Sequence, residues 1–290
     1  MSLRARRRAL IVAGSTLVAG FAMVAPAYAA ASGHSAATAH SAVVPRTPSG
    51  ALVRSGGPVA HLVGPQASHG MTRNQTTTST NWSGYAAASG TYTSVSSSWV
   101  EPTGKCSSGQ QYSSFWVGLD GYNSSTVEQT GSEVDCSGST PQYYSWYEMY
   151  PAYPVNFSNT VRPGDHFTGS VTYAGSNKFT LKLSDTTQGW SHTVSKTLSG
   201  AARSSAEVIA EAPCCTSSGG ILPLADFGTV NFTGASANGS PIGNFSPVGI
   251  NMVSANGVQE DRISALSSGQ NFSATWLSSG NGPRRGGPRG

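Results

Sequence analysis

The chain is poor in several of the residues that common catalytic machinery needs. Of its six histidines only His166 and His192 lie beyond the first 70 residues, and neither sits in a Ser-, Cys- or metal-type arrangement. No G-x-S-x-G and no H-E-x-x-H occurs, which removes the usual serine-hydrolase and zinc-peptidase signatures. Only four cysteines are present, Cys106, Cys136, Cys214 and Cys215, and no Cys or His pair has structural-zinc spacing. No stretch sustains a helical apolar stripe for three turns with caps. Hydrolytic chemistry, if there is any, must therefore come from carboxylates and amides.

Acidic residues are absent from the first hundred positions, and this changes how the charge is read. The whole chain carries +4, yet all 13 Asp and Glu lie between Glu101 and Asp261. Ten of the 17 Lys and Arg fall at or before Arg73 or in the C-terminal tail. The body keeps seven cations against 13 anions, a net charge of −6. A nucleic-acid partner, which the basic whole-chain pI would suggest, is excluded by that distribution.

The ends read as processing and linker segments. Residues 1–29 combine a basic start, a short apolar run broken by Gly14, Ser15 and Gly20, and a small-residue site at Ala27–Ala29. These features predict a secretory signal peptide cleaved after Ala29, in preference to a membrane anchor, and hence an extracellular protein with no membrane partner after cleavage. Residues 30–77 are rich in Ala, Ser, Gly, Pro and His and have too few large apolar groups to offset ordering entropy; they read as a propeptide or disordered leader. Residues 280–290 form a Gly/Pro/Arg tail that reads as disordered. Cysteines in an exported chain suit disulfides. Cys106–Cys136 is the favoured bridge, although connectivity cannot be read from sequence alone.

The body, residues 78–279, is long enough for a substantial core and shows no composition break, so it is expected to be one domain. Segment after segment alternates with period two: "GTYTSVSSSWV", "DHFTGSVTYAG", "NKFTLKLSD", "SHTVSKTL", "SAEVIAEA", "GTVNFTGA" and "QNFSATWLS". Val, Thr, Tyr, Phe and Trp dominate, with Gly, Asn, Ser and Asp between them. The expectation is an all-β antiparallel sandwich or barrel.

Two strands carry candidate chemistry. In "QYYSWYEMYPAYP", alternation puts Tyr144, Trp146, Glu148 and Tyr150 on one face, aromatic walls around one carboxylate. In "SAEVIAEAP", Glu207, Ile209 and Glu211 share a face, an arrangement costly in an apolar core and reasonable in a cleft or on a solvated surface. The stretch "TVEQTGSEVDC" sets Gln129 among Glu128, Glu133 and Asp135.

In order along the chain, "NWSGY" (81–85), "SWVEP" (98–102), "FWVGLDG" (115–121), "VEQTG" (127–131), "YSWYEMYP" (144–151), "AEVIAE" (206–211) and "LADFGTVNFTGA" (224–235) together resemble the glutamic peptidase (eqolisin) family. The resemblance covers nearly the whole body. It implies a secreted acid endopeptidase made with a propeptide and folded as a two-sheet antiparallel β-sandwich of the concanavalin A-like, jelly-roll type. It implies a Gln/Glu dyad, which maps to Gln129 and Glu211. Residues implied to line or support the cleft are Trp82, Trp116, Asp120, Glu133, Trp146, Glu148, Tyr150 and Glu207. No metal or cofactor is implied. Substrates would be proteins or peptides, and the chain is expected to be a monomer. Four positions depart from the family pattern: Glu128 replaces an apolar residue, Val208 a tryptophan, and Tyr144 and Glu133 stand where fungal members carry aspartates. Two rival readings remain, a lectin-like glycan-binding sandwich using the Trp146/Tyr150 face and a glycoside hydrolase pairing Glu148 with Glu211.

Overall fold

A computed structural model describes residues 76–213 and 221–280. The expected signal peptide, nearly all of the expected leader, the last ten residues and the vicinal cysteines Cys214 and Cys215 lie outside the described residues. The elements are almost entirely strands: β1 (Thr76–Ser79), β2 (Trp82–Ala87), β3 (Ser94–Val100), β4 (Gln110–Leu119), β5 (Val127–Ser137), β6 (Thr140–Tyr150), β7 (Val155–Asn156) and β8 (His166–Tyr173). There follow β9 (Lys178–Asp185), β10 (Trp190–Thr197), β11 (Ala206–Glu211), β12 (Thr229–Ala237), β13 (Ser240–Pro241), β14 (Val248–Val253), β15 (Gln259–Ile263) and β16 (Phe272–Trp276). Among the described residues the one helical turn is a 3₁₀ segment, Ile242–Phe245. Each alternating segment singled out in the sequence contains a strand.

Hydrogen bonding links the strands in the order β10-β9-β8-β3-β12-β16-β15-β14-β2-β11-β4-β5-β6-β7. All pairs along this path are antiparallel, while β1 adds to β14 in parallel. The path folds back so that β11, β4 and β5 pack across β3, β8, β9 and β12. This is the two-layer solution expected when each sheet has an apolar face to bury.

The core between the layers follows from alternation. Val95 and Trp99 (β3), Phe167 and Val171 (β8), Phe179, Leu181 and Leu183 (β9) and Val230 and Phe232 (β12) meet Phe115, Val117 and Leu119 (β4) and Ala206, Val208 and Ala210 (β11). Small residues on β11 leave room for the rings opposite, including the edge-on pair Phe115–Phe227. In β3, β8 and β9 the other face is open, and buried and more exposed residues alternate. In β2, β4, β5 and β11 nearly every residue is buried, so a second covered face exists. It carries a separate cluster, Trp82, Ala86, Trp116, Val127, Trp146, Ile209 and Ile250. The expected disulfide Cys106–Cys136 is formed and ties the segment before β4 to β5.

Candidate active site

The second face is a grid whose rows can be read from strand register. One row runs Trp82, Glu211, Ser114, Glu133, Tyr144 across β2, β11, β4, β5 and β6. The next holds Gly84, Ile209, Trp116, Gly131 and Trp146, and the third Ala86, Glu207, Gly118, Gln129 and Glu148. Tyr150 stands opposite Val127, one row further on. Gln129 and Glu211 therefore share a face. They lie on the two strands flanking β4 and on a diagonal rather than directly opposite one another.

Trp116 occupies the middle of that diagonal. Its indole Nε1 donates to Glu211 Oε2 at 2.7 Å. A Cβ placed at Gly118 would stand 2.9 Å from Cζ3 of the same ring and 3.2 Å from the Gln129 Cβ. Glycine at 118 thus leaves the space that the ring and the Gln129 side chain share. Gly131 does the same on β5, where an added Cβ would fall 2.6 Å from Trp116 Cβ. Trp82 packs edge-on against Trp116, with centroids 5.1 Å apart and planes at 76°.

Glu211 is held at both oxygens. Besides the indole, Asn81 Nδ2 donates to Oε1 at 3.3 Å. Asn81 is itself oriented by Ser79, whose hydroxyl donates to Asn81 Oδ1 (3.1 Å) and accepts from the Trp82 backbone N–H (3.1 Å). Neither Ser79 nor Asn81 is identified from the sequence as a site residue. Asn81 opens the "NWSGY" motif, and that position was the available signal. Across β5, Gln129 Nε2 donates to Glu148 Oε2 at 2.5 Å, the two being direct cross-strand partners.

Glu207 shares the row of Gln129 but has a different character. It is fully buried, and burial first, then the nearby Asp120 and Glu128 charges, push its carboxyl well above the ordinary range. At acid pH it is a neutral carboxylic acid. Asp120 takes a left-handed backbone (φ 68) just past β4. Its carboxylate accepts from the backbone N–H groups of Arg203 (2.7 Å) and Ser204 (2.8 Å), which fixes the entry to β11. Glu133 and Trp146 are buried on the site face, and Tyr150 is half-buried at its margin.

Glu128 faces the other way. It stands between Leu119 and Met149 on the inter-sheet side, where neither carboxyl oxygen has a partner among the described residues. Burial, with Asp120 adding to it, raises this carboxyl to about 8.

The second face of the sandwich combines buried carboxylates, an amide and indoles, with no histidine or cysteine among its rows. The Peptidase A4 family profile matches residues 80–276, and the chain belongs to that family. It is a hydrolase, a glutamic endopeptidase. Aspergillopepsin-2 of Aspergillus niger is 31% identical over 191 residues, covering 57% of this chain and 67% of that protein. Among solved structures, scytalido-glutamic peptidase bound to a transition state analog inhibitor aligns with a TM-score of 0.60 at 25% identity. That alignment covers 69% of this chain and 100% of the other. SCP-B, an eqolisin peptidase in complex with the tripeptide Ala-Ile-His, shares the fold with a TM-score of 0.57 at 23% identity, again over 69% and 100% of the two chains.

Proposed function

We propose that this chain is a secreted, acid-active endopeptidase in which Glu211 is the general base and acid and Gln129 stabilises the oxyanion. The observation that carries the reading is the treatment of Glu211. Two N–H donors hold its oxygens, so the carboxylate is aimed, while Gln129 shares its face across Trp116. Glu207 lies closer to Gln129 in register, but a buried carboxyl that stays protonated at acid pH cannot accept a proton from water.

In the proposed cycle Glu211 takes a proton from a water, and the resulting hydroxide forms a C–O bond to the peptide carbonyl. A Gln129 N–H donates to the oxyanion as charge develops there, a contribution of roughly 3–4 kcal/mol where such donors have been removed elsewhere. Glu211 then passes its proton to the leaving nitrogen as the C–N bond breaks. One carboxylate serves both steps because an amide cannot change charge with pH.

The lectin-like and glycosidase readings have no observation of their own. Glu148, the second carboxylate a glycosidase would need, is engaged by Gln129. The test is digestion of a denatured protein at about pH 3–5, the range in which a carboxylate can be both base and acid, with pepstatin present. Gln129→Ala should cut cleavage by roughly 100- to 1,000-fold, the usual cost of a lost oxyanion donor, Glu211→Gln should abolish it, and Glu207→Gln should keep it. Full activity in Glu211→Gln, or its loss only in Glu207→Gln, would overturn the assignment. Secretion is supported by the N-terminal signal features and the formed disulfide. It is checked by sequencing the N-terminus of the exported protein, where a start at Ala30 is expected.

A further inference from the structure

Gln129 has two chemically opposite ends, and the oxyanion role requires the donor end. A primary amide can turn its side chain over and exchange N–H for C=O at almost the same position. Something must prevent that turn. The β4 side cannot, because Gly118 has no side chain there. On the β6 side stands Glu148, in direct register, buried like Gln129 and joined to it by the 2.5 Å hydrogen bond from Nε2. The other end of the amide, Oε1, is buried and has no hydrogen-bond partner among the described residues.

We infer that Glu148 is a positioning residue that selects the donor-presenting orientation of the Gln129 amide. The selection follows from the acceptor-only character of an ionised carboxylate. In the observed orientation one N–H of Nε2 is spent on Glu148 and the second remains for substrate. In the turned orientation Oε1 would face a carboxylate oxygen at hydrogen-bonding distance, two acceptors with no hydrogen between them. Burial of the pair makes that arrangement more costly than it would be in water. Protonation of Glu148 would let it donate to Oε1 and would remove the discrimination. The inference rests on Gln129 being the oxyanion donor and goes beyond it by assigning what aims the donor.

The test uses the full chain, activated at acid pH, and an internally quenched peptide substrate. Glu148→Ala should lower kcat by roughly 10- to 100-fold, up to the loss seen when an oxyanion donor is removed, with KM nearly unchanged. Glu148→Gln preserves size and can pair with either end of Gln129. It should lower kcat less and lose any pH dependence that arises from the Glu148 carboxyl. In a Gln129→Ala background, single-turnover rates should show no further loss on adding Glu148→Ala. The proposal is overturned if Glu148→Gln keeps both the wild-type kcat and pH profile, if the loss is confined to KM, or if the two alanine changes are additive. Should thermal melting show Glu148→Ala unfolded, the near-isosteric glutamine variant decides. If Gln129→Ala itself stays fully active, the dyad falls first. If Gln129→Ala loses activity while Glu148 variants behave as wild type, only the positioning role falls.

Discussion

Trp116 and Glu128 show how one residue's chemistry depends on which face it occupies. The Trp116 ring separates Gln129 from Glu211, and its N–H aims the carboxylate. Trp116→Phe keeps most of the ring and removes the donor. It is expected to cost about 1.5–3 kcal/mol of catalysis, near the net worth of a hydrogen bond to a charged group, beyond the modest loss of melting temperature that trimming a buried ring brings. Steady-state kinetics beside a thermal melt would check this. Glu128 is a carboxyl on the apolar side of its strand, raised to about 8 against an ordinary value of 4.5. The native state therefore binds this proton more tightly than the unfolded chain does. The associated stability is fully present below about pH 4.5 and is lost as pH rises through about 8. Glu128→Leu should leave melting at about pH 4 nearly unchanged and raise it near pH 8, by an amount on the order of a few kcal/mol. An unchanged melt near pH 8 would show that the carboxyl finds compensation on ionising.

Pairs of strands set the site's dimensions, and their glycines set how closely side chains approach. An added Cβ at Gly131 would meet the Phe115 carbonyl oxygen at 2.2 Å and Trp116 Cα at 2.9 Å, backbone that cannot swing aside. Gly131→Ala should push β5 away from β4 at the row between Gln129 and Glu211. We expect a loss of roughly 1–3 kcal/mol in stability, the usual cost of overpacking, and a larger fractional loss of activity than of melting temperature. Denaturant unfolding and peptide hydrolysis measured together test it. The Cys106–Cys136 bridge spans a sequence separation of 30 and anchors the far end of the same strand pair. Removing both cysteines should destabilise the domain by about 3–4 kcal/mol on the loop-entropy account.

At the scale of the molecule, several buried carboxyls act together. Glu101 and Glu128 are raised to about 8, Glu260 and Asp261 to about 7, and Glu207 well above the ordinary range, with burial the largest cause in every case. Each takes up its proton more readily in the folded chain. Stability should therefore fall steadily as pH rises from about 4.5 toward 8, the reverse of acid denaturation. Urea midpoints at about pH 4 and pH 8 would show it, and equal midpoints would contradict it. A peptidase stable in acid and weakened near neutrality follows from where its carboxyls are buried. A body net charge of −6 adds self-repulsion in the same direction.

The sequence alone determined the things that depend on neighbours a few residues away. Period-two alternation placed the strands, put Glu207 with Glu211 and Tyr144 with Trp146 and Glu148 on shared faces, and turned Glu128 away from Gln129. Ordered motifs singled out Gln129 and Glu211 as the pair to examine. What alternation cannot encode is which strand lies beside which and in what register, because those pairings join residues tens to more than a hundred positions apart. Only the tertiary structure set Glu148 against Gln129 and brought Asn81 to Glu211 across 130 residues. It also turned Asp120 onto the Arg203–Ser204 backbone. Burial was decided there as well. A strand pattern can predict that one face is covered, but covering the second face of β2, β4, β5 and β11 is a property of the assembled layers. That burial is what holds Glu207 and Glu128 protonated while Glu211 is held by N–H donors.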